Sequence, residues 1–84
     1  MIIGKVVGSV VSTRKCGSLT GSKFMVVEPA GHSAGGRIVA VDRVGAGIGE
    51  CVLVATGSAA RVDMPSAPVD AAIVGILDNG QDLE

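Results

Sequence analysis

The sequence predicts an all-β fold, a small five-stranded OB-like barrel with one or two short helical turns. Three observations carry this reading. Val, Ile and Leu cluster in five short runs, each run is bounded by Gly, Pro, Ser or charged residues, and none has the length or period of a helix.

The first run, residues 2–11, holds Gly4 and Gly8 inside otherwise strong strand sequence. Glycine within a strand marks a bulge or a sharp bend, which lets a long strand curl into a barrel. Residues 13–23 are polar and glycine-punctuated and read as an exposed connection. Residues 24–27 form the second strand, and residues 29–36 a loop without periodicity. The third run, 37–41, continues to Asp42 and Arg43 with charge at its ends and apolar residues between, so it is expected to be buried along most of its length. Residues 44–49 read as a tight glycine-rich link to the fourth strand, 51–55. Gly57–Arg61 (GSAAR) then suits one helical turn capped by Ser58. Pro65 and Pro68 break regular structure. Asp70 is placed to cap a second brief turn before the last strand, 72–77. The polar residues 79–84 read as a flexible tail on a single domain spanning 1–84.

Composition points to burial between subunits. Hydrophobic residues make up 48% of 84 residues, yet there is no Trp or Tyr and one Phe, Phe24. A core of small aliphatic side chains in a chain this short is marginal alone, so part of the apolar surface is expected to be covered by neighbouring copies. The net charge is −1, with seven basic and eight acidic residues well mixed. That balance lacks the basic stripe of a nucleic-acid binder. An OB-like module for single-stranded nucleic acid or another small ligand is the alternative. It would need stacking aromatics that the sequence largely lacks. No apolar run approaches the roughly 20 residues that cross a bilayer, and no charged lead followed by a long apolar stretch marks a signal peptide. A cytoplasmic protein without nucleic-acid or membrane partners is expected, with Cys16 and Cys51 as reduced thiols rather than a disulfide.

Site chemistry is sparse. Gly45-Ala46-Gly47-Ile48-Gly49-Glu50 has the glycine density of a phosphate loop. No Lys-Ser/Thr or long helix follows it, and Glu50 would repel an anion. It reads as a turn built on positive φ. The single histidine, His32, has no partner to orient it for acid–base work. Asp42, Asp63, Asp70 and Asp78 stand at strand ends or turns, where capping explains a carboxylate. Cys16 and Cys51 are too far apart for a metal-binding pair, so a metal ligand role for either would need symmetry-related copies. Neither catalysis nor a cofactor is expected.

Three segments in register carry a resemblance. The first is IGKVVGSVVSTRK at 3–15 followed by SLTG at 18–21 and Lys23. The second is VAVDRVGAGIGE at 39–50, continuing through VLV at 52–54 to GSAAR at 57–61. The third is APVDAAIVGILD at 67–78. Together they resemble the CcmL/EutN family of microcompartment vertex proteins. The resemblance implies a barrel that assembles as a homopentamer at the five-fold corners of a polyhedral shell, beside hexameric facet proteins. It places assembly or axial-loop roles on the 44–50 link, with Gly45, Ala46, Gly47, Gly49 and Glu50. It places others on the following turn, with Gly57, Ser58 and Arg61, the last as a bridge to a neighbour's carboxylate.

Overall fold

A computed structural model describes residues 1–11, 16–19, 21–31, 36–62 and 67–78. His32, Asp63, most of the glycine-rich loop around 32 and the expected tail 79–84 lie outside the described residues. The five expected strands form, as β1 (Ile2–Val10), β2 (Phe24–Pro29), β3 (Ile38–Asp42), β4 (Cys51–Thr56) and β5 (Ala71–Leu77). They close into a barrel in the order β1-β2-β3-β5-β4, the all-β OB-like architecture expected.

Strand ends are set by pairing rather than by the apolar runs. β2 continues two residues past Val27 because Glu28 and Pro29 stand opposite Lys5 and Gly4 of β1. Proline lacks an N–H, so it suits the last position of the strand. Strand β5 starts at Ala71, directly after Asp70, because Ala71 pairs with Thr56. The brief turn expected there is absent, and the Asp70 carbonyl instead accepts the Gly57 amide at 2.9 Å. The turn at Gly57–Arg61 does form, as 3-10 helix. Its N-cap is Thr56 rather than Ser58, and no side chain caps it. Gly57 enters it at φ +65°, a conformation glycine adopts without strain.

The two glycines of β1 differ in role. A register shift between Val6 and Gly8 marks the expected bulge. Gly4 sits in regular pairing, between Pro29 of β2 and Val52 of β4. A Cβ there would meet Val27 Cγ1 at 2.6 Å and the Glu28 carbonyl oxygen at 2.8 Å. Gly4 is therefore a close-approach position, not a bend.

The core is aliphatic and continuous through the barrel. Val6, Val27, Val52, Val54 and Ile73 are fully enclosed, with Met25, Ala40, Ala46 and Ala71 beside them. Each buried Val or Ile contributes about 1.5–3 kcal/mol. A second cluster of Val41, Ala60, Ala67, Val69 and Ala72 is flanked by Leu19 and by Phe24, which stays partly exposed. Strand β3 is less buried than its apolar centre suggests, because Val39 points outward and is 50% exposed. Its parallel seam with β5 is also short: only Val41 and Asp42 have partners there, Ala72 and Ile73.

Candidate assembly surface

The link between β3 and β4, residues 43–50, is a fixed structure and not a loose glycine loop. Asp42 ends β3, and its carboxylate turns back over the link. Oδ1 accepts the amides of Val44 and Gly45, both at 3.0 Å, and Oδ2 accepts that of Ala46 at 2.9 Å. The Glu50 carboxylate does the same from the other end, with Oε1 2.6 Å from the Gly47 amide. The Gly49 amide donates to the Val6 carbonyl, and the Val6 amide to the Glu50 carbonyl, extending the β1–β4 ladder by one step. Gly45 and Gly49 take φ of +84° and +94°. The amides that would cradle a phosphate are thus already filled by the chain's own carboxylates.

Of the expected link residues, Gly45, Gly49 and Glu50 are exposed and Gly47 is half-buried. Ala46 is 1% exposed; its methyl plugs the main core and is closed to a neighbour. The link's most exposed apolar residue is Ile48, at 66%, with Val44 exposed at 43%. Gly57 and Ser58 are exposed on the following 3-10 turn. Arg61 is half-buried, and its guanidinium Nη1–H donates to the Val69 carbonyl at 2.7 Å, tying this turn to the segment that leads into β5.

Cys16 is exposed before the short 3-10 turn Gly17–Leu19, and Cys51 is half-buried at the start of β4; both are free thiols. Among the described residues no three His, Cys, Asp or Glu side chains converge on a metal-sized space. The turn role expected of Asp42 is present, with three link amides on its carboxylate, whereas the exposure of Val39 and Ile48 was not expected from the sequence. Nothing local distinguishes an outward Val39 within an apolar run.

A family model described as ethanolamine utilisation protein EutN/carboxysome matches residues 1–78, the whole barrel together with this link. The chain belongs to the EutN/CcmL family. Relatives in that family include the microcompartment shell vertex protein GrpN of Rhodospirillum rubrum, 47% identical over 93% of both chains. The carboxysome shell vertex protein CcmL of Synechococcus elongatus is 49% identical, over 93% of this chain and 84% of its own. The solved structure of the pentameric GrpN from R. rubrum superposes with a TM-score of 0.82 at 48% identity, covering 94% of each chain. The EutN/CcmL resemblance seen in the three sequence segments is borne out, and so is the barrel it implied.

Proposed function

We propose that this chain is a structural vertex protein of a bacterial microcompartment, assembling as a homopentamer that closes the five-fold corners of a polyhedral shell. The observation that carries the reading is the match to a pentameric shell protein across nearly the entire chain, link and 3-10 turn included. The surface supports it: Val39, Ile48, Val62 and Val74 lie exposed on a subunit whose own core is aliphatic and small. A five-membered ring repeats one head-to-tail contact and so covers such surface in every copy.

The role is architectural rather than catalytic, and the protein works in the cytoplasm within a shell whose flat facets are hexameric proteins. The link and the Gly57–Arg61 turn supply assembly contacts. Arg61 has guanidinium N–H groups besides the one on Val69, and one of these reaches a neighbour's carboxylate in the ring.

Native mass spectrometry of the purified protein tests the ring: five subunits are expected, and a monomer at micromolar concentration refutes it. Co-expression with hexameric shell proteins tests the vertex role. Closed polyhedra are expected with this chain and open or elongated shells without it. Equal closure in its absence refutes the vertex role. Salt-sensitive retention of single-stranded nucleic acid would point instead to the binding-module alternative.

A further inference from the structure

We draw no further inference here: the strongest candidate, the apolar hollow along the β3–β5 seam lined by Phe24, Val39, Val41, Val69 and Ala71 with Asp70 as its one charged lining residue, carries nothing, because nothing in the structure shows what covers it.

Discussion

Replacing Gly4 with alanine places a methyl group where two strands leave no room. The new Cβ lies 2.6 Å from Val27 Cγ1, against an optimum of roughly 3.5–4.0 Å between carbons. Val27 is fully enclosed in the core and cannot swing away. The second obstacle is backbone, the Glu28 carbonyl oxygen at 2.8 Å, and moving it disturbs the β1–β2 ladder. Overpacking of this kind costs typically 1–3 kcal/mol, and an unyielding neighbour puts Gly4→Ala near the top of that range. Alanine reduces the freedom of the unfolded chain and returns about 0.4–1 kcal/mol. The net loss is about 2 kcal/mol, or roughly 8–16 °C in melting temperature for a domain of this size.

Gly8→Ala is the matched control on the same strand. Its Cβ would meet only Val26 Cβ at 4.0 Å, an ordinary contact, and Gly8 is outside the left-handed region. It is expected to melt at or slightly above the parent temperature. Thermal unfolding by circular dichroism, at one fixed protein concentration because ring formation shifts the midpoint, compares the three proteins. Gly4→Ala melting within about 2 °C of the parent would refute the close-approach argument.

Asp42→Ala removes three amide acceptors from the link and is expected to cost about 2–3 kcal/mol in urea unfolding, since the Ala46 amide lies against the core. Asp42→Asn keeps one carbonyl oxygen for Val44 and Gly45 but turns an N–H₂ toward the Ala46 amide, so an intermediate loss of about 1–2 kcal/mol is expected in the same measurement. Arg61→Met retains the aliphatic stem and loses the bond to the Val69 carbonyl, costing about 1–2 kcal/mol by denaturant midpoint. Ser58→Ala is expected to leave stability within about 0.5 kcal/mol, because the turn has no side-chain cap to lose. A loss of about 1 kcal/mol or more in that variant would show that Ser58 caps the turn after all.

The alternation of β-branched runs and breakers made the five strands legible, because strand propensity and turn chemistry act over a few neighbouring residues. The same locality made the Gly8 bulge and the Gly57–Arg61 turn visible. The phosphate-loop reading of residues 45–50 failed on local grounds too, through the missing Lys-Ser/Thr, and the filled amides of the link now supply the structural reason.

Other features depend on residues far apart in the chain. Gly4 is required by Val27 and Glu28, more than twenty residues downstream, and its sequence context matches that of Gly8. Val39 lies on the face of β3 opposite Ala40, as strand alternation requires, and is exposed because the residues that cover Val41 on that face, Ala60, Ala67, Val69 and Ala72, come from distant segments and do not reach it. Asp70 is a good capping residue by type. Pairing of Ala71 with Thr56 extends β5 to its door and leaves no turn to cap. Local backbone preference thus determined which segments are strands and where they turn. Long-range pairing and close approach, which act only once the barrel has closed, decided which glycine is indispensable and which valine is exposed.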